Sequence, residues 1–184
     1  LLAKGIRFEK SKLRGAVDLF SMARIGFITG KELFRLTHAD MCGEYGGLFR
    51  DLARYRAAGY VADLFGRTVA DGEPDEALWL LLCEAFSLFS GNKFQEERMS
   101  FYVRSFEIKF LKYLGYVPKE MPRIARALVS FPLGVSGVSF SAADVEEFTH
   151  FMRPLREYAI NLSTPSHIYM LHRGGTLKKT LKML

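Results

Sequence analysis

Lys4, Arg7, Lys10, Lys12 and Arg14 fall within the first fifteen positions, with Phe8 among them. Cations spaced along a chain neutralise phosphates, and an aromatic between them can stack a base. A solvated charged arm has the same composition. Arg24 extends the basic series into the next segment. A second basic set closes the sequence. In Thr176-Leu-Lys-Lys-Thr-Leu-Lys-Met-Leu184, the residues Leu177, Leu181 and Leu184 share one helical face, and Lys178, Lys179 and Lys182 take the other. The leucines suit docking on a core, and the lysines suit phosphate contact.

No catalytic constellation accompanies these cations. The sequence has no P-loop, no G-x-S-x-G and no H-E-x-x-H. His38, His150, His167 and His172 are scattered; the last two are five apart and miss the i, i+4 spacing of a metal pair. Glu146 and Glu147 are adjacent, so a helix would turn them to different azimuths, as on a solvated face. Cys42 and Cys83 supply neither a disulfide framework nor metal-ligand spacing, and a reducing cytoplasm suits them. The expectation is a non-enzyme with no cofactor and no metal.

The charge is segregated. The formal net charge is +6, but residues 1–35 carry net +5, residues 36–150 net −4 and residues 151–184 net +5. Positive ends around an acidic middle suit a polyanionic partner. With 184 residues, 49% of them hydrophobic, the chain can form one large domain or two small ones. The longest apolar stretch, Ala77 to Phe89, is broken by Glu84, so no membrane span is expected. The opening Leu1-Leu-Ala-Lys4 reads as a start inside a longer protein.

Among the elements that must position these residues, the central one is a long helix from Asn92 or Lys93 to Leu114. Gly115 stands where a left-handed cap is wanted, and Pro118 follows. Met99, Tyr102, Val103, Phe106, Phe110, Tyr113 and Leu114 form one apolar arc, and Phe101, Ile108 and Leu111 form another, so this helix reads as buried on several sides. Arg98, Ser105, Lys109 and Lys112 remain as a narrow basic stripe. Before it, residues 16–28 read as a strand, Thr29-Gly-Lys31 as a turn and Leu33 to Leu36 as a returning strand. Thr37 reads as the N-cap of a helix to Tyr45, with Asp40 as a capping-box variant. A helix over 48–70 follows, with Ala57, Ala58 and Gly59 allowing close approach. Another helix starts at Pro74 or Asp75 and buries Trp79 and Cys83. After Pro118, Met121 to Val129 reads as a short helix. Ala142 to Met152 reads as a helix capped by Ser141 and interrupted or kinked at Pro154, with Leu155 to Leu162 continuing. His167 to Arg173 reads as one or two further turns.

Two runs in this pattern resemble a known family. Phe106-Glu-Ile-Lys109 through Leu114-Gly-Tyr-Val-Pro118 resembles the central helix of the bacterial recombination mediator family RecO. Ala3-Lys-Gly-Ile-Arg7, Lys10-Ser-Lys-Leu-Arg-Gly15 and Asp18-Leu-Phe-Ser21 resemble the A-K-G-x-R…K-S-x-L-R-G…P-F-S run of its amino-terminal OB-fold, in the family's order and at about its spacing.

The resemblance implies an α+β, mainly α protein. A partial OB-like small β-barrel (1–38), lacking the first strands, would precede an α-helical bundle domain (39–184). Many family members bind a structural zinc through four cysteines in the region matching 118–141. That stretch contains no cysteine here, so a divergent loop without zinc is expected. The resemblance further implies a DNA-binding mediator of recombinational repair that binds single- and double-stranded DNA, anneals complementary strands and helps load RecA recombinase. Its other partners would be a RecR-like ring protein and the acidic tail of the single-strand DNA-binding protein. The protein would be cytoplasmic and nucleoid-associated. Lys4, Arg7, Lys10, Lys12, Arg14, Arg24, Lys178, Lys179 and Lys182 are the candidate DNA contacts. Arg98, Phe101, Ile108, Lys109 and Lys112 are the candidates for the acidic tail. The alternative is a helical protein-interaction module with protein partners only.

Overall fold

The computed structural model describes residues 3, 6, 8–30, 33–69, 74–117, 119–134 and 141–162. The chain divides into two compact units, Leu1–Leu48 and Phe49–Leu184. Among the described residues, one antiparallel strand pair and five α-helices make an α+β, mainly α protein.

The first unit is built on β1 (Ser21–Ile28) and β2 (Arg35–Glu44). Residues 8–20 run in successive tight turns, closed by the N–H groups of Ser11, Arg14 and Ala16 donating to the carbonyls of Phe8, Ser11 and Leu13. The strand expected from Ala16 therefore starts only at Ser21. The Ser21 hydroxyl donates to the Asp18 carbonyl at 2.7 Å and accepts from the Asp18 N–H at 3.0 Å, which fixes a turn there. Phe20 takes φ 56° within it, a left-handed conformation that costs a side-chain-bearing residue roughly 1–2 kcal/mol.

The helix expected from Thr37 to Tyr45 is instead strand β2. Phe27 pairs with Leu36 and Gly26 with His38, so Thr37 is an extra residue in the ladder. Such a bulge shifts the two-residue alternation by one. Leu36 and Ala39, three apart, consequently both turn inward onto Ala16, Leu13 and Ala23. The helix reading rests on Thr37 and Asp40 as a capping pair, and the strand pairing overrides it. The Thr37 hydroxyl, expected to cap a helix, donates across to the Gly26 carbonyl at 3.1 Å. The boundary expected at 38/39 thus falls within a strand.

The second unit is helical. Asp51 caps α1 (Leu52–Thr68) by accepting from the Arg54 N–H at 2.8 Å, and Asp75 caps α2 (Glu76–Ser90) by accepting from Leu78 N–H at 2.9 Å. The helix expected over 48–70 begins later, because a 3-10 turn occupies Gly46–Phe49. A second 3-10 turn, Glu96–Arg98, leads into α3 (Met99–Tyr113). Gly115 ends α3 with φ +80°. Its N–H donates to the Lys112 carbonyl and that of Tyr116 to Leu111, both at 2.9 Å, the paired bonds of a Schellman cap. Then come α4 (Arg123–Ser130) and α5 (Ala142–Leu162), which runs through Pro154 as one helix. Ser141 and Asp144 form the expected capping box of α5.

Helix α3 is buried nearly all round, as its apolar arcs require. Phe106 stacks on Phe110 at 5.5 Å between ring centroids, and Phe65 of α1 meets Phe110 at 6.1 Å. Ile108 and Leu111 turn the other way into a cluster with Ile124, Ala125, Leu128, Phe148 and Met152. Three expectations need correction. Trp79 is 48% exposed, because Leu78, Leu81, Leu82 and Ala85 carry the inward face of α2. Tyr113 is 47% exposed at the last turn of α3. Ala57 and Ala58 are fully buried, but a Cβ at Gly59 would meet nothing within 4 Å, so that glycine is not a close-packing point.

Candidate nucleic-acid interface

The amino-terminal basic residues sit on surface turns of the first unit. Lys10, Lys12 and Arg14 are all exposed, and Phe8 is 75% exposed beside them. The hydrogen-bonded turns hold these cations on short backbone spans, so several phosphates can be met by one segment. Arg24 is exposed on β1 and lies opposite Asp40, which also contacts His38 Nε2 at 2.7 Å. An acid facing Arg24 across the strands weakens it as a phosphate contact relative to Lys10 and Lys12. Lys4, Arg7, Lys178, Lys179 and Lys182 lie outside the described residues, as do the helical turns expected at 167–173.

The hairpin contributes a feature that sequence reading missed. Phe27 and Phe34 are exposed, with ring centroids 5.2 Å apart in an edge contact, and Ile25, Ile28, Leu33 and Met41 are exposed near them in sequence. Arg35, also exposed, pairs with Ile28 at the loop end of the hairpin. Phe34 precedes β2, so strand alternation alone does not bring the two rings together.

The candidate stripe for an acidic tail is not one surface. Lys112 is exposed, and Arg98 and Phe101 are half-buried, with Phe101 packed against the Ile108 cluster. Ile108 is fully buried and Lys109 is 8% exposed. The wheel placed Lys109 on a polar line, but α4 and the residues after it cover that line. The ammonium of Lys109 reaches the Val129 carbonyl at 3.4 Å. Burial pushes its pKa down, the Glu84 charge raises it and the Lys112 charge lowers it further. Glu84 in turn accepts from the Leu133 N–H at 2.6 Å, so the two charges anchor both sides of the turn after α4.

The glutamate of the same motif is also internal. Glu107 is 2% exposed; it accepts from the Tyr60 hydroxyl and, through both carboxylate oxygens, from Arg104. This network ties α1 to α3. Glu107 and Lys109 are therefore buried polar anchors, and the surface role expected of Lys109 is corrected by its burial.

Among the described residues, no group of three or more His, Cys, Asp or Glu is placed to hold a metal ion, and no helix is long and apolar enough to cross a membrane. Cys42 is exposed and Cys83, expected in the core, is half-buried. An open pocket of about 410 Å³ is lined by Glu120, Met121, Pro122, Arg123, Arg126 and Glu147, with charges of both signs.

Comparison with known proteins bears on the helical unit. Residues 50–121 match the family described as recombination protein O C terminal. The DNA repair protein RecO of Pelotomaculum thermopropionicum is 32% identical over 117 residues, covering 64% of this chain and 44% of the relative. Those of Moorella thermoacetica and Desulforamulus reducens are 30% and 31% identical over 118 and 119 residues, covering 64% of this chain and 42% and 44% of the relatives. The matched region thus spans less than half the length of these curated relatives. No solved structure matches.

Proposed function

We propose that this chain, whose residues 50–121 are similar to the RecO family, is a non-enzymatic DNA-binding mediator of recombinational repair. The observation that carries this reading is the exposed set Lys10, Lys12 and Arg14 with Phe8, on turns of the first unit. Ammonium and guanidinium groups on such turns meet phosphates without reading sequence, so single- and double-stranded DNA are both accepted. Holding two strands on one basic body raises their local concentration and screens their repulsion. Base pairing then drives annealing, with no cofactor and no nucleotide hydrolysis. Arg24 is a further candidate phosphate contact in this reading, as are Lys4, Arg7, Lys178, Lys179 and Lys182, which lie outside the described residues.

The protein partners in this reading are a RecR-like ring protein and the acidic tail of the single-strand binding protein, acting together to load RecA recombinase in the cytoplasm. Of the tail candidates, Lys112, Arg98 and Phe101 have the exposure to take part. The experiment is an annealing assay with complementary oligonucleotides. The parent chain accelerates pairing, and Lys10→Ala/Lys12→Ala/Arg14→Ala reduces that acceleration by at least tenfold. Pairing no faster than the spontaneous rate with the parent chain rejects the mediator reading.

A second reading is a helical module with protein partners only. The outward face of α2 favours it, since Trp79 and Leu80 stand 48% and 57% exposed there. Under that reading the chain binds no DNA near physiological salt.

A further inference from the structure

The start of α1 gathers exposed rings and cations in a way that the amino-terminal basic surface does not explain. We propose that this end of the helical unit is a second single-strand site, in which Phe49 and Tyr55 stack bases while Arg50, Arg56 and Lys93 meet phosphates. The proposal rests on the nucleic-acid reading above and adds a site within the second unit.

Four observations carry it. Phe49 and Tyr55 are 53% and 40% exposed, their ring centroids 6.1 Å apart at an interplanar angle of 45°. Leu52, 59% exposed, continues the apolar surface on α1. The Arg50 guanidinium donates to the Asn92 side-chain oxygen at 2.8 Å, which brings the exposed Lys93 to the same end of the unit. Arg56 is exposed one residue past Tyr55, and one turn on from Tyr55 a Cβ at Gly59 would meet open space.

The platform is rigid. Arg54 donates to the Phe89 and Gly91 carbonyls at 2.6 and 2.7 Å, and its guanidinium lies 4.5 Å from the centroid of the Phe94 ring. Its charge is used internally to join the start of α1 to the end of α2. Asp51 receives Arg54 Nε at 2.7 Å and caps α1, so the one carboxylate within 49–56 is already paired. Arg50, Arg56 and Lys93 are left facing solvent. Glu96 and Glu97, exposed on the following 3-10 turn, bound the basic surface on that side.

The ligand chemistry follows from the rings. Duplex DNA keeps its base faces stacked and offers them nothing, whereas a single strand can lay bases on both. An acidic peptide would use the cations but has no need of two outward-facing rings. Truncating a base-stacking ring typically weakens binding by about fivefold to a hundredfold.

The test uses the full chain with labelled oligothymidylate and a length-matched abasic strand, which keeps the phosphates and lacks the bases. Phe49→Ala/Tyr55→Ala is expected to bind oligothymidylate at least tenfold more weakly and the abasic strand as the parent does. Tyr55→Phe retains most of the parent's affinity. Arg50→Glu/Lys93→Glu weakens both strands alike. Thermal melting checks that each variant is folded. Equal binding of oligothymidylate by the parent and the double-ring variant overturns this site and leaves the amino-terminal surface standing. A parent that binds neither strand overturns both. A double-ring variant that loses an acidic peptide but keeps oligothymidylate also overturns the proposal, in favour of a peptide site.

Discussion

Replacing Glu107 with alanine removes the carboxylate that joins Tyr60 of α1 to Arg104 of α3. Glu107 is 2% exposed and the Arg104 side chain 16%, so the variant leaves a nearly buried guanidinium and a phenol without their acceptor. Breaking a buried pair by deleting one partner typically costs about 3–5 kcal/mol. The residual exposure of Arg104 lets it regain some water, which places the expected loss near the lower figure, about 3 kcal/mol. Tyr60→Phe deletes the phenol's bond to a charged acceptor and should cost roughly 1.5 kcal/mol. Equilibrium urea denaturation reads both. At a slope of about 1–3 kcal/mol/M, Glu107→Ala lowers the midpoint by roughly 1–3 M with the slope unchanged. The double variant should fall short of additivity by more than about 0.5 kcal/mol, since both changes delete the same contact. A Glu107→Ala midpoint within about 0.2 M of the parent would refute the network as an anchor of α1 on α3.

Further outcomes follow from the caps and buried charges. Gly115→Ala and Gly134→Ala both force φ +80° on a side-chain-bearing residue, costing roughly 1–2 kcal/mol. The Gly134 variant should be the less stable in thermal melts, because its Cβ would come within 2.5 Å of Leu88, whereas Gly115 faces open space. Asp51→Ala should cost about 0.5–2 kcal/mol through loss of the α1 cap, read by the same melts. Lys109 has its folded pKa pushed below the ordinary 10.5, chiefly by burial. Between that depressed value and 10.5 the unfolded chain binds more protons, so stability rises with pH across the window. Lys109→Met should remove this rise in denaturation curves taken at stepped alkaline pH; an identical slope in parent and variant would show that Lys109 is not its source.

What the sequence disclosed depended on how local the signal was. Asp75 sits immediately before helix α2, Ser141 and Asp144 form a capping box, and Gly115 ends α3. All are cues of a few residues, and the helices start or stop close to them. The burial of α3 was legible because its apolar residues cover two arcs. Strand β2 was not, because Thr37 and Asp40 have the types and spacing of a capping box, and the extra residue at Thr37 breaks the two-residue alternation of a strand. Charged residues misled in the opposite direction. Lys109 read as a surface position until its partners on other elements, Glu84 and Val129, were known. Phe49 and Tyr55 drew no notice as a pair, because their proximity depends on the turn that ends at Phe49. The exposed amino-terminal cations were legible directly, since exposure is the usual state of lysine and arginine on tight turns.

The account's central claim is that the chain holds DNA through several phosphates at once. The most direct measurement is fluorescence anisotropy of a labelled single strand titrated with the full chain between about 50 and 300 mM salt. Each phosphate neutralised on a single strand contributes about 0.7 to the slope of log affinity against log salt. The account predicts tight binding at low salt and a steep fall, with Lys10→Ala/Lys12→Ala/Arg14→Ala lowering the slope by about 2. No binding at the lowest salt, or binding that salt leaves unchanged, would contradict it.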